Sequence, residues 1–236
     1  MRLIALARLL QLSSQALPIG GYSHSQGLEA AIEDEVVRDE ASLLRWIADV
    51  IEFSMKSFEI PCMLSMTAAW AESDPVAVAA LNEEYLSTRE SAELRAAAVQ
   101  MGFSLRALLC VLPDFRKETV DTLRSIPELS LPCAWSAAAA AWEIQPRESA
   151  LGYLWTWAEN QVLVAMKAVP LGQSVGQRVL LAIGAKIAEA AAHMDSVEAG
   201  VDGAGEISSE NYSNFSPGLA ILSSRHETQY SRLFRS

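Results

Sequence analysis

Apolar side chains recur along most of the chain at steps of three and four residues, the spacing that lines them up on one face of an α-helix. The most regular run is Leu94, Ala98, Met101, Leu105, Leu108 and Leu112, in a helix expected from Arg89 to about Leu112. Leu43, Ile47, Val50, Ile51, Ser54 and Phe58 share a face behind a capping Asp39, and Pro61 is expected to bend or end that helix. Another helix is expected through Met63 to Trp70. Asp74-Pro75 reads as a cap with proline at the first helical position, opening a short helix to about Leu86. A short amphipathic piece follows around Phe115 to Leu123. Ala134 to Trp142, almost all small residues between two tryptophans, reads as a buried helix. Pro146 opens a long helix ending before Pro170, and a last long helix spans about Gly172 to Met194. On that helix Gly172, Gly176, Gly184 and Ala188 fall on one line, where a neighbour can approach closely. No alternating run is long enough for a strand, and no fixed-period repeat stands out. The expected fold is all-α, a single-domain helical bundle of roughly nine to ten helices over residues 1–194.

Two segments follow the bundle. Residues 195–215 read as an acidic flexible linker: Asp195 to Glu210 holds five acidic residues, no Lys or Arg, and Gly200, Gly203 and Gly205. Residues 216–236 carry net positive charge, and Leu219, Leu222, His226, Tyr230 and Leu233 form a single helical stripe. Burying five side chains falls short of the cost of fixing about twenty backbones. The tail is therefore expected to order on a partner, as an amphipathic helix in the partner's groove; the alternative is that it packs on its own bundle as a last helix.

Composition narrows the function. With 236 residues, 51% of them hydrophobic, the chain can bury a sizeable core without stapling. A net charge of -11 leaves no basic field outside the tail, which argues against nucleic acid. The longest uncharged run, Leu9 to Leu28, contains Pro18, Gly20 and Gly21 and cannot span a bilayer as a helix. Arg8 interrupts the apolar start and no small-x-small cleavage site follows, so the expected location is the cytoplasm. Cys62, Cys110 and Cys133 stand far apart and suggest neither a disulfide framework nor a zinc knuckle.

Candidate chemistry is sparse. The three histidines, His24, His193 and His226, form no metal-binding pair on a helix. Gly172 to Arg178 lacks the spacing and the Lys of a phosphate loop, and Gly21 to Ser25 is not a nucleophile elbow. No catalytic residue, resident metal or cofactor is expected. The acidic stretch from Glu29 to Glu40 reads as solvated helix-start charge. The loop Leu17 to Gly27 is different in kind: Gly20-Gly21 permit positive φ and Ser23 can cap the next helix. Tyr22, His24 and Gln26 then look exposed, in a form apt for a protein contact.

Leu9 to Glu33, LLQLSSQALPIGGYSHSQGLEAAIE, and Ser216 to Ser236, SPGLAILSSRHETQYSRLFRS, together resemble the two ends of the urease accessory protein UreF family. The resemblance implies a non-enzymatic, all-helical dimer in the cytoplasm. It implies a scaffold that joins a UreD/UreH-type accessory protein and a UreG-type GTPase on apo-urease for nickel insertion. Carried onto this sequence, the partner-binding residues are Pro18, Gly20, Gly21, Tyr22, Ser23 and Gln26 of the loop. In the tail they are Arg225, His226, Glu227, Tyr230, Arg232, Leu233 and Phe234. At position 24 the family more often has Tyr or Thr than His. Two other readings are a GTPase-activating regulator offering Arg225 or Arg232, and a nickel carrier using His24, His226 and the cysteines.

Overall fold

The computed structural model describes residues 2–192, 213–214 and 216–235. His193 and, apart from Ser213 and Asn214, the expected linker through 212 and at 215 lie outside the described residues. The architecture is the expected all-helical one, with no strand among the described residues. At its centre is α8 (Leu131–Ala141), packed between α4 (Ile60–Ala71) and α6 (Ala92–Leu109). Its small side chains make that sandwich possible: Ala134, Ala137, Ala138 and Ala139 are buried. Close approach also dictates Gly102 on α6, where a Cβ would lie 2.0 Å from the Leu129 carbonyl oxygen.

Helix starts follow the sequence signals. Asp39 Oδ1 accepts the Ser42 N–H at 2.8 Å ahead of α3 (Glu40–Val50), and Asp74 Oδ1 accepts the N–H groups of Val76 and Ala77 at 3.0 Å ahead of α5 (Pro75–Ser87). Ser91 caps α6, the short α7 is Lys117–Ser125, and Pro146 begins α9 (Pro146–Ala168). The glycine line on α10 (Gln173–Ala192) is used inside the chain. A Cβ at Gly176 would lie 2.6 Å from Met166 Sδ of α9, and one at Gly184 would lie 3.6 Å from the Trp155 ring. Against α9 also pack α1 (Leu3–Leu12) and α2 (Leu28–Glu33).

The helix does not end at Pro61: α3 passes into a π-helical segment, Ile51–Glu59, and continues as α4 through the proline. Proline lacks the N–H that would serve the carbonyl four residues back, and its ring crowds that carbonyl. The orphaned acceptor, the Ser57 carbonyl, takes the Ser213 N–H at 3.2 Å, while Ser57 Oγ donates to the Ser213 carbonyl at 2.8 Å. Asn214 then accepts from Ser54 Oγ and donates to the Thr88 carbonyl, both at 3.0 Å. The end of the expected linker is thus tied to the π segment and to Thr88.

At the last residue of the π segment, Glu59 enters a buried polar cluster. Arg89 Nη1 lies 3.1 Å from Glu59 Oε2, and the Tyr153 hydroxyl donates to Glu59 Oε1 at 2.5 Å. The Arg89 guanidinium sits 4.3 Å from the Tyr85 ring centroid, where cation–π attraction adds to the pairing. Burial, reinforced by the Glu59 charge, pushes the Tyr153 phenol well above its ordinary range, so it stays a donor. Side-chain exposure is only 6% for Arg89 and 11% for Glu59, so neither charge has solvent to fall back on. Arg89→Ala is therefore expected to lower unfolding free energy by about 3–5 kcal/mol in urea titrations; a loss below about 1 kcal/mol would contradict the pairing.

Candidate partner-binding site

Two segments distant in sequence meet over α9. After Gly20 in the left-handed region at φ 72, a 3-10 turn, Gly21–Ser23, carries the loop outward. Ser23 does not cap α2, as the sequence suggests; its hydroxyl turns back and donates to the Gly20 carbonyl at 2.7 Å. The residue before α2 is Gly27, at φ 86. A Cβ there would be strained by that φ and would stand 3.1 Å from Leu219 Cδ1 of α11 (Pro217–His226). From α9, Asn160 Nδ2 donates to the His24 carbonyl at 3.0 Å and Gln161 Nε2 to the Ser25 carbonyl at 3.1 Å. The loop backbone is therefore held from below.

His24 is not the exposed residue the sequence suggests. It is 2% exposed, and burial, with the nearby charge of Arg235, pulls its pKa down from 6.5 to about 4. Tyr22 is exposed as expected, at 59%. Pro18 is also exposed, while Gly20, Gly21, Ser23 and Gln26 are half-buried.

The tail packs on its own bundle, against α2 and α6. Leu222, His226 and Phe234 are buried. Polar contacts do much of the docking. Glu29, 5% exposed on α2, accepts the N–H of Leu233 at 2.6 Å and of Phe234 at 3.0 Å. His226 lies between two carboxylates, Nε2 3.0 Å from Glu29 and Nδ1 2.5 Å from Glu93. Arg232 reaches Glu93 at 2.7 Å, Arg225 pairs with Asp34, and Glu227 accepts the Ala92 N–H at 3.0 Å at the start of α6. The N–H of Arg235 donates to the Ser23 carbonyl at 2.8 Å, which joins tail to loop. Lys167 sits beneath the junction, its Nζ 5.9 Å from the Tyr22 ring centroid and 5.6 Å from that of Phe234.

The expected single stripe through Leu233 does not form, because α11 ends at His226. Side chains intercept the backbone there: Arg232 Nη2 donates to the Glu227 carbonyl, and Glu29 takes two N–H groups. The chain turns, Phe234 goes inward, and Tyr230 and Leu233 face out with Tyr230 fully exposed and Leu233 70% exposed. Sequence reasoning missed Glu29 and Glu93 as tail receptors. Glu29 sits in a run of acids that resembles solvent-facing charge, and only the fold shows its burial.

Among the described residues no group of His, Cys, Asp and Glu side chains is arranged to hold a metal ion. Cys62 and Cys133 are buried, and desolvation raises both thiols, that of Cys133 to about 12. No helix among the described residues is long and apolar enough to cross a membrane.

A family model described as UreF matches residues 37–184. A urease accessory protein UreF of Dechloromonas aromatica (strain RCB) is 50% identical over 234 residues, covering 99% of this chain and 98% of its own length. One from Azoarcus sp. (strain BH72) is 51% identical, covering 99% and 97%. This chain belongs to the UreF family. The family model stops short of both ends, but the relatives' alignments, at 98% to 99% of the chain, extend over nearly all of it. For a UreF-family chain, the geometry separates the end residues into two kinds. His226, Phe234, Arg225, Glu227 and Arg232 are engaged within the molecule, whereas Tyr22, Tyr230 and Leu233 project from it.

Glu29→Ala removes the acceptor of two tail N–H groups and a contact of His226, so amide exchange at Leu233 and Phe234 should accelerate about 30-fold or more; unchanged protection would refute the docking role. His24 yields a separate outcome. With its folded pKa lowered from 6.5 to about 4, the unfolded chain binds the extra proton between those values. This group's contribution to stability is full above pH 6.5 and falls as pH drops toward 4. The imidazole C–H resonance in NMR should titrate near 4, and His24→Gln should flatten the fall in Tm over that interval.

Proposed function

We propose that this chain is a non-enzymatic scaffold of urease maturation. It joins a UreD/UreH-type accessory protein to a UreG-type GTPase and docks with them on apo-urease for nickel insertion in the cytoplasm, acting as a homodimer. The observation that carries the reading is the convergence of both chain ends on one face, with large side chains projecting from a hydrogen-bonded base. Aromatic residues on a rigid support are what hot spots of protein interfaces are made of. Tyr22, Tyr230 and Leu233 are the contacts assigned to the UreD/UreH-type partner. Pro18, Gly20, Gly21, Ser23 and Gln26 shape the loop, while Arg225, His226, Glu227, Arg232 and Phe234 hold the tail in register. An acidic surface, at net charge -11, suits partners with basic faces.

The scaffold reading is favoured over the other two by the engagement of the groups those would need. Arg225 and Arg232 are paired with Asp34 and Glu93, which counts against either reaching a bound nucleotide. A nickel carrier would need ligands that converge, and His24, His226, Cys62 and Cys133 are each buried with no such cluster among the described residues.

Tyr230→Ala should weaken capture of the cognate UreD/UreH-type protein by about 2 kcal/mol, roughly 30-fold, in a binding titration. Because Tyr230 is fully exposed, the isolated variant should keep its Tm. Full-strength binding by a Tyr22→Ala, Tyr230→Ala double variant would remove this face from consideration.

A further inference from the structure

Beneath the loop and the tail lies a cavity of ≈ 80 Å³. Much of its wall is apolar, including Met55, Met101, Trp135 and Leu219. Arg89, Gln26 and Asn160 line it as well, and in each a buried polar atom has no partner in the protein: Arg89 Nε, Gln26 Oε1 and Asn160 Oδ1. The orientation of two of these groups is fixed by what their other atoms do. Arg89 Nη1 is committed to Glu59 and the Tyr85 hydroxyl. Asn160 Nδ2 donates to the His24 carbonyl, so its oxygen is the end left over. One donor and two acceptors, on three residues that line the same space, would stay unsatisfied if that space were dry.

The chemistry of the space selects its occupant. Arg89 is neutralised by Glu59, so no net charge from this pair draws in an ion. No metal-holding cluster exists among the described residues. What fits is a neutral group that accepts from an N–H and donates to two amide oxygens. We propose that the chamber is a binding site for small neutral hydrogen-bonding molecules, occupied by a cluster of water that bridges Arg89 to Gln26 and Asn160. A cavity needs only about 10–15 Å³ to hold one water, so the chamber has room for more than one. The consequence reaches the surface. Gln26 holds a positive φ of 52 directly before Gly27, so the bridged cluster helps fix the backbone that presents Tyr22. Buried solvent therefore acts as a structural part of the loop.

Two measurements on the full chain test this, and neither involves a partner, so they stand or fall apart from the proposed function. In high-resolution crystals pressurised with xenon, ordered waters are expected within hydrogen-bond distance of Arg89 Nε, Gln26 Oε1 and Asn160 Oδ1, with no xenon among them. Xenon in the chamber, or the three atoms without water, overturns the proposal. Gln26→Met, nearly the same in shape, gives the second reading through its sign. If Gln26 Oε1 is bridged by water, losing it lowers Tm by about 2–4 °C. An unchanged or raised Tm overturns the proposal, because deleting an acceptor that had no partner removes a cost.

Discussion

One nearly buried carboxylate decides how this molecule ends. Glu29 has little solvent around it, and leaving it without donors would cost far more than a typical hydrogen bond contributes. The tail supplies those donors: two consecutive backbone N–H groups, Leu233 and Phe234, and a contact to the His226 ring. Once these are made, the rest follows geometrically. Phe234 must turn inward, Arg235 falls beside Ser23, and Tyr230 is left outside. The apolar area of the tail is small, so it is this charge-assisted set, not burial alone, that selects a docked conformation.

The opposite approach to the same region runs through Pro61. Pro61 has no N–H to give the Ser57 carbonyl, which takes the Ser213 N–H instead, and the π segment before it ends on Glu59, where Arg89 and Tyr153 close on the carboxylate. The chain entering the tail is thereby tied at Ser213 and Asn214, and the chain leaving it is tied at Glu29. Between these anchors α11 has little freedom to shift along its groove, and Leu219 sits so close to Gly27 that a Cβ there would be crowded.

Helices, caps and the buried character of α8 were legible in the sequence because they depend on local spacing: Asp39, Asp74 and the run of alanines act within a few residues of themselves. The seam of α6 was legible for the same reason. What could not be read is whatever depends on a distant partner. Pro61 looks like a breaker until Ser213 arrives to take the stranded carbonyl. His24 looks exposed in a loop of small residues until α9 holds that loop against itself. Glu29 reads as surface charge by its neighbours Glu33, Asp34 and Glu35, and nothing within the run marks it as the one turned inward. The stripe through Leu233 failed on the same ground, since a helical period cannot register side chains that compete for the backbone.

The division of the end residues into holders and presenters bears on how a partner is met. Ordering a side chain at an interface costs roughly 0.5–1.5 kcal/mol, and ordering a whole segment costs several times more. Here the segment is already ordered by contacts within the chain, so a partner that reads Tyr22, Tyr230 and Leu233 meets a prepared surface and need not undock His226 or Phe234. A partner that instead drew the tail into its own groove would first have to replace the donors of Glu29 and the neighbours of Phe234. The first route avoids that cost. His226, held between Glu29 and Glu93, fixes where the exposed Tyr230 stands.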